Sequence, residues 1–117
     1  MNSELRKSLR ERFLSEMFNN RFRGFECGDG WLQIVQEMLE DLEPLVKNRS
    51  DFSILQIKEK FGDLRVYVEG YLTDEINNVF NLAELKASET CDICGEKAVK
   101  DYDEGWITIR CDLHKIK

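Results

Sequence analysis

The chain has 117 residues, of which 42% are hydrophobic and 34% charged, and its formal net charge is −6. This size suits one compact domain, and seven Phe with two Trp can supply a core, which excludes intrinsic disorder. The sequence has no apolar run of about eighteen residues and no apolar N-terminal stretch, so we expect neither a membrane span nor a signal peptide. We therefore expect a cytoplasmic protein whose cysteines are reduced.

The charge is unevenly distributed along the chain. Residues 1–25 hold six basic and three acidic side chains, whereas residues 26–51 hold seven acidic and two basic ones. A general nucleic-acid-binding surface would need many Lys and Arg residues to neutralise phosphates. The composition therefore argues against that class over the whole surface, but it leaves a local basic face possible.

The first predicted element is an amphipathic helix over residues 3–19, with Ser3 as its cap. Its apolar side chains recur every four residues and predict a buried stripe. They are Leu5, Leu9, Phe13 and Met17. The basic residues outside that stripe are Arg6, Lys7 and Arg10. We expect these to form an exposed basic face that is either solvated or in contact with an acidic partner or nucleic acid.

Residues 21–30 contain three glycines and predict a loop. Cys27 lies in this loop without a nearby cysteine, and we interpret it as an inert, small hydrophobic residue. A reactive thiol is the alternative.

A second helix is predicted from residue 31 to about residue 42, with Asp29 as its N-cap and Pro44 ending or kinking it. Its inner face has the spacing of a core stripe. Its outer face is acidic and consists of Glu37, Glu40, Asp41 and Glu43. A solvated helix exterior is the ordinary interpretation, and binding to a basic partner is the alternative.

Residues 52–60 and 64–70 predict a β-hairpin around the turn Lys60-Phe61-Gly62-Asp63. If Lys60 opposes Asp63, the dry face pairs Ile57 with Val66 and Leu55 with Val68. The other face then pairs Lys58 with Arg65 and Gln56 with Tyr67. Like charges opposed on neighbouring strands repel unless a carboxylate or phosphate lies nearby. Lys58, Arg65 and Tyr67 are therefore candidate partner-binding residues, although a solvent-facing role is the alternative.

A third helix follows, capped by Thr73. The apolar positions predicted for it are Ile76, Val79, Phe80, Leu82, Ala83 and Leu85.

The last quarter of the chain has the spacing of a metal site. Cys91 and Cys94 form a Cys-x-x-Cys-Gly turn, and Cys111 and His114 follow sixteen or more residues later. Two short ligand pairs at this separation predict a zinc ribbon, with residues 106–110 as a strand leading to the second pair. Four protein ligands leave no position for water, so we expect a structural Zn²⁺.

Three alternatives apply to these residues. A redox Cys-x-x-Cys pair would leave Cys111 and His114 without a role, and a disulfide framework would suit a secreted chain. His114 could instead be a surface residue, with Cys27 as the fourth ligand. Because His114 is the only histidine, a hydrolytic or nucleophilic site is disfavoured, and we predict no catalytic residues and no organic cofactor.

Several stretches together resemble a family of small, uncharacterised bacterial and phage or prophage proteins with a C-terminal zinc ribbon. They are Gly30-Trp31-Leu32, Asp41-Leu42-Glu43-Pro44-Leu45, the stretch QIKEKFGDLRVYV from Gln56 to Val68, Cys91-x-x-Cys94-Gly95, and Gly105-Trp106 before Cys111-Asp112-x-His114. The resemblance covers about residues 28–115 and excludes the basic N-terminal helix. It implies the zinc ligands and a bacterial cytosolic setting, but no reaction.

The sequence therefore predicts a single α+β domain with two N-terminal helices, a β-hairpin, a third helix and a zinc ribbon. Residues 1–90 would form the body and residues 91–117 the ribbon. The leading function is non-enzymatic binding and inhibition of a host protein by a phage or mobile-element accessory protein of the anti-defence type. Its acidic surface, including Glu37, Glu40 and Asp41, would meet a basic partner. The alternatives are nucleic-acid binding through Arg6, Arg10, Lys58 and Arg65, and an immunity protein for a cognate toxin.

Overall fold

The computed structural model describes residues 3–18, 21–103 and 105–114, with the side chains of residues 3, 14–16 and 103 outside that description. The described chain is mixed α+β, as predicted. Its elements, in order, are α1 (Ser3–Met17), β1 (Phe25–Glu26), α2 (Leu32–Val46), β2 (Ser53–Lys60), β3 (Asp63–Glu69), α3 (Asp74–Ala87), β4 (Val99–Asp103) and β5 (Trp106–Arg110). The predicted helix end at residue 19 is wrong, because α1 ends at Met17 and Phe18 already forms a bridge with Ile54. The side chain of Ser3, the predicted cap, lies outside the described part of the chain.

The first sheet has the strand order β1-β2-β3. β2 and β3 form the predicted antiparallel hairpin, with Lys60 opposite Asp63 and Lys58 opposite Arg65. β1 is a short strand that the sequence analysis did not predict. It runs parallel to β2 and pairs Phe25 with Ile57.

The predicted pairing of Leu55 with Val68 is wrong. A β-bulge between Ile54 and Gln56 places Ile54 opposite Val68 instead. Because a bulge adds one residue to one strand, it reverses the inward and outward alternation beyond it. Ile54 is consequently fully buried, whereas Leu55 is only partly buried.

Two predictions about α2 are also wrong. The helix does not end near Leu42 but continues to Val46, because the N–H of Lys47 still donates to the Glu43 carbonyl at 3.0 Å beyond Pro44. Asp29 is not its N-cap, since a 3-10 turn over Asp29–Trp31 precedes the helix. The predicted cap of α3 is confirmed, with Thr73 Oγ1 accepting from the Ile76 N–H at 3.2 Å.

The three helices and the first sheet enclose one core. Its largest fully buried side chains include Phe13, Met17, Trp31, Leu32, Leu39, Leu42, Ile54, Ile57, Leu64 and Ile76. Two apolar positions predicted for α3 face away from it, because Leu82 is 46% and Leu85 is 60% exposed. In the part of the chain that the structure describes, no helix has the length and apolar character to cross a membrane.

Candidate metal centre

The two predicted ligand pairs meet at the base of the C-terminal hairpin. β4 and β5 pair antiparallel, with Val99 opposite Arg110, and this brings the turn before β4 beside the turn after β5. The possible ligand atoms of Cys91, Cys94, Cys111 and His114 all lie within 4.8 Å of one another.

The spacing of these atoms suits one small cation. The distance from Cys94 Sγ to Cys111 Sγ is 3.6 Å, and that from Cys91 Sγ to His114 Nδ1 is also 3.6 Å. His114 Nδ1 lies 3.2 Å from Cys111 Sγ. A tetrahedral ion with Zn–S bonds near 2.3 Å separates its sulfur ligands by about 3.8 Å. The four side chains could therefore hold a metal ion.

The local backbone holds both ligand pairs in tight turns. The Gly95 N–H donates to the Cys91 carbonyl at 3.0 Å, and Gly95 has φ +83°, a conformation that glycine adopts without steric cost. The His114 N–H likewise donates to the Cys111 carbonyl at 2.9 Å. The Cys91 N–H donates to the Glu96 carbonyl at 2.7 Å, which closes the first turn.

The thiols of the first pair have opposite shifts in pKa. Burial raises the pKa of Cys91, but backbone hydrogen bonds from Cys111, Cys94 and Ile93 outweigh it and bring the value to about 6. A backbone hydrogen bond from Glu96 lowers the pKa of Cys94, but desolvation and the thiols of Cys111 and Cys91 raise it to about 11. Closely spaced thiols resist a second ionisation, and a bound cation removes that repulsion.

Cys27 is not a member of this cluster. It is buried, and burial raises the pKa of its thiol to about 11 although the Arg6 guanidinium opposes the shift. A raised pKa keeps the thiol protonated, which agrees with an inert side chain and not with a reactive one.

The loop Gly28-Asp29-Gly30 packs directly against the first ligand pair. A Cβ added at Gly28 would lie 1.8 Å from the Asp92 carbonyl oxygen, and one at Gly30 would lie 2.1 Å from the Cys91 carbonyl oxygen. The Gly30 N–H donates to the Asp92 carbonyl at 3.0 Å. Only glycine leaves room for this approach. The Gly-x-Gly pattern is the one feature of the sequence that signals this contact, and by itself it predicts only a loop.

Arg6 holds the same loop through hydrogen bonds from its side chain. Its guanidinium donates to the carbonyls of Phe25 and Cys27 and to the Asp29 carboxylate, each at 2.8 Å. The prediction that Arg6 belongs to an exposed basic face is therefore wrong, because its side chain is largely buried and satisfies loop carbonyls. Arg10 is exposed, and its guanidinium lies 5.5 Å from the centre of the Phe22 ring.

The hairpin tip between β2 and β3 contacts the C-terminal hairpin. A Cβ added at Gly62 would lie 3.1 Å from Ile107 Cγ2, and Lys100 Nζ lies 2.9 Å from Asp63 Oδ1. Asp63 also lies 3.4 Å from Arg65, and this carboxylate relieves the predicted repulsion between Arg65 and Lys58.

The remaining predicted partner-binding residues are dispersed over the surface. Tyr67 and Arg65 are exposed on the hairpin, and Lys58 is half-buried beside Glu26 of β1. On α2, Glu37 pairs with Lys86 at 3.0 Å and Glu40 with Arg12 at 3.2 Å, while Asp41 is exposed. A hydrogen bond from Lys86 is the main cause of a lowered pKa at Glu37. Two of the three acidic residues proposed to contact a basic partner, Glu37 and Glu40, thus already form ion pairs within the protein.

Comparison of the chain with protein-family models, with curated proteins and with solved structures gives no match. The resemblance to bacterial and phage zinc-ribbon proteins, and the role that it implies, stay predictions.

Proposed function

We propose that this protein is a non-enzymatic binding protein in which a structural Zn²⁺ fastens the C-terminal hairpin to the body. The observation that carries the proposal is the mutual approach of Cys91, Cys94, Cys111 and His114 to within 4.8 Å. A set of three thiolates and one imidazole suits zinc better than the hard cations, which prefer oxygen ligands. Four protein ligands complete a tetrahedral shell, so the ion has no position for a reacting water.

The hairpin has little other support. Two antiparallel strands alone are at best marginally stable in water. Among the side chains of the hairpin that the structure describes, Ile109 alone is fully buried. Because two ligands precede β4 and two follow β5, a bound ion closes the ends of the hairpin. The free energy of metal binding is then coupled to folding of the last quarter of the chain.

A protein is the partner that we favour. Large apolar side chains are exposed on the C-terminal hairpin and at the facing hairpin tip. They are Phe61, Val99, Tyr102 and Trp106. Two of the residues predicted for nucleic-acid binding are poorly placed to contact phosphates. The side chain of Arg6 is largely buried, and Arg65 and Lys100 both contact the carboxylate of Asp63. The phage-related resemblance favours inhibition of a host protein as the specific form of binding.

Metal analysis tests the first half of the proposal. We expect about one zinc per chain in the purified protein, retention of zinc in Cys27→Ala and its loss in Cys94→Ser. Both variants remove one thiol, so the comparison separates ligation from a general effect of losing a cysteine. Full zinc content in Cys94→Ser, or none in the parent protein, would contradict the site.

Capture of partners from a bacterial lysate, with and without nuclease, tests the second half. A stoichiometric protein that survives nuclease treatment supports protein binding and identifies the target. Recovery of nucleic acid alone, lost at moderate salt, would replace the proposal with nucleic-acid binding.

A further inference from the structure

The C-terminal hairpin has an open strand edge. Asp103 pairs with Trp106, and the turn between them contains two residues. In a hairpin with a two-residue turn, the pair next to the turn exchanges both of its backbone hydrogen bonds. Since bonded pairs alternate along an antiparallel ladder, the N–H and C=O groups of Ile107 and Ile109 point away from β4. The hydrogen bond from the Asp92 N–H to the Ile109 carbonyl, at 2.8 Å, agrees with this direction. Within residues 3–18, 21–103 and 105–114, no backbone group pairs with the outer edge at Ile107.

A groove lies along this edge. Its volume is about 640 Å³, and its lining includes Glu59, Phe61, Asp92, Trp106, Ile107 and Arg110. Of these lining residues, Glu59 lies near the end of β2. Glu59 lies beyond Ile57 and Lys58, the two residues of β2 that pair with β1. A second cavity of about 490 Å³ shares Glu59, Asp92 and Arg110 with the first and extends the groove toward Cys27.

Two exposed aromatic side chains line the groove. Phe61 is 61% exposed on the β2–β3 turn, and Trp106 is 70% exposed at the start of β5. Phe61 has φ +54°, a conformation in which Asn or Gly is far less strained than Phe. A strained residue that keeps a large side chain in solvent indicates a role for that side chain outside the fold.

The groove carries net negative charge. Arg110 Nε donates to Asp92 Oδ1 at 3.3 Å, which balances that carboxylate. Glu59 accepts the Gly62 N–H at 2.6 Å, and no ion pair among the described residues balances its charge. The lining therefore complements a basic side chain.

We propose that this groove binds an extended segment of a partner protein, which adds to β5 as a further strand and places a Lys or Arg side chain toward Glu59. The backbone of Ile107 supplies hydrogen bonds, and Phe61 and Trp106 contact apolar side chains of the same segment. This deepens the proposed function and rests on it, because it names the surface and the chemistry of the bound protein.

The test is selection of ten-residue peptides from a random displayed library on the full-length, zinc-loaded protein. We expect enrichment of sequences with a Lys or Arg between apolar residues and without a central proline. Trp106→Ala should weaken the selected peptides about 30-fold, as expected for an aromatic hot spot. Glu59→Gln keeps the acceptor for Gly62 but removes the charge, so it should weaken them about two- to fivefold and reduce the salt dependence.

Two further variants control for folding. Tyr71→Ala removes an aromatic side chain that is 74% exposed but does not line the groove, and it should leave peptide affinity unchanged. Phe61→Asn suits the positive φ better than Phe, so it should weaken binding without lowering stability.

Several results would overturn the proposal: no enrichment, an acidic consensus, or affinities that Trp106→Ala leaves unchanged. Self-association that Trp106→Ala abolishes would instead assign the edge to a second copy of the chain and also overturn it. If a captured protein partner binds Trp106→Ala and Glu59→Gln as tightly as the parent, the groove assignment fails while the proposed function stands.

Discussion

The contact between the Gly28-Asp29-Gly30 loop and the first ligand pair predicts that Gly28→Ala and Gly30→Ala both destabilise the protein. Neither glycine has a positive φ, so alanine can adopt the backbone conformation at both positions. In a loop that packed against nothing, these changes would stabilise the protein by about 0.4–1 kcal/mol, since alanine restricts the unfolded chain. The sign of the effect therefore tests the contact.

The expected magnitude follows from the atoms that the new Cβ would meet. They are the carbonyl oxygens of Asp92 and Cys91, at 1.8 and 2.1 Å, and backbone atoms cannot rotate away as a side chain can. Overpacking costs roughly 1–3 kcal/mol, and we expect the upper part of that range here. Loss of the hydrogen bond from Gly30 to Asp92 adds about 1 kcal/mol. Alanine also stabilises the protein slightly, because it restricts the unfolded chain, and this contribution is subtracted. Each variant should then lose about 3 kcal/mol of unfolding free energy.

Urea unfolding of the zinc-loaded proteins measures this loss, and competition with a chelator measures zinc affinity in parallel. Gly24→Ala is the matched control, because Gly24 has φ +105° and no atom within 4 Å of the added Cβ. That variant should lose only about 1–2 kcal/mol from backbone strain and keep its zinc affinity. If Gly28→Ala and Gly30→Ala were as stable as the parent or more stable, with unchanged zinc affinity, the packing argument would be refuted.

Four further variants, at three positions, test other parts of the structure by urea unfolding. Trp31→Phe removes the indole N–H that donates to the Thr90 carbonyl at 2.8 Å and should cost about 2–3 kcal/mol; a loss below about 0.5 kcal/mol would contradict a structural role for that bond. Thr73→Ala removes the acceptor of the Ile76 N–H and should cost about 1 kcal/mol, whereas Thr73→Ser should retain most of the stability. Phe61→Asn should stabilise the hairpin by up to about 1 kcal/mol, and a loss of similar size would show that the ring stabilises the fold. Removal of zinc by a chelator should lower the melting temperature, since metal binding is coupled to folding; an unchanged melting curve would count against the metal centre.

The parts of the fold that depend on residues close together in the sequence were predictable. The turn at Phe61-Gly62 specifies a two-residue hairpin, and this alone places Lys60 opposite Asp63. The four metal-site residues were likewise predictable, because their spacing reflects the reach of two tight turns. The bulge at Leu55 carries no such signature, since no glycine lies beside it and its neighbours Ile54 and Gln56 are compatible with a regular strand.

The contacts that position the site were not predictable, because they join residues far apart in the chain. Arg6 lies in a helix whose periodicity places it outside the buried stripe, and its true neighbours are loop carbonyls about twenty residues later. Periodicity reports only which face a residue occupies and not what covers that face. The two-residue strand β1 could not be predicted either, since it forms only through pairing with β2.

The docking of the turn at residues 91–94 on the Gly28-Asp29-Gly30 loop has a consequence for synthesis of the chain. The loop leaves the ribosome more than eighty residues before His114, the last of the four metal-site residues. The helices and the first sheet precede the C-terminal hairpin in the chain, and Cys91 and Asp92, whose carbonyls cover the loop, follow it by more than sixty residues. A nascent chain therefore lacks the backbone contacts that Cys91 and Asp92 make with this loop until most of the chain has been synthesised.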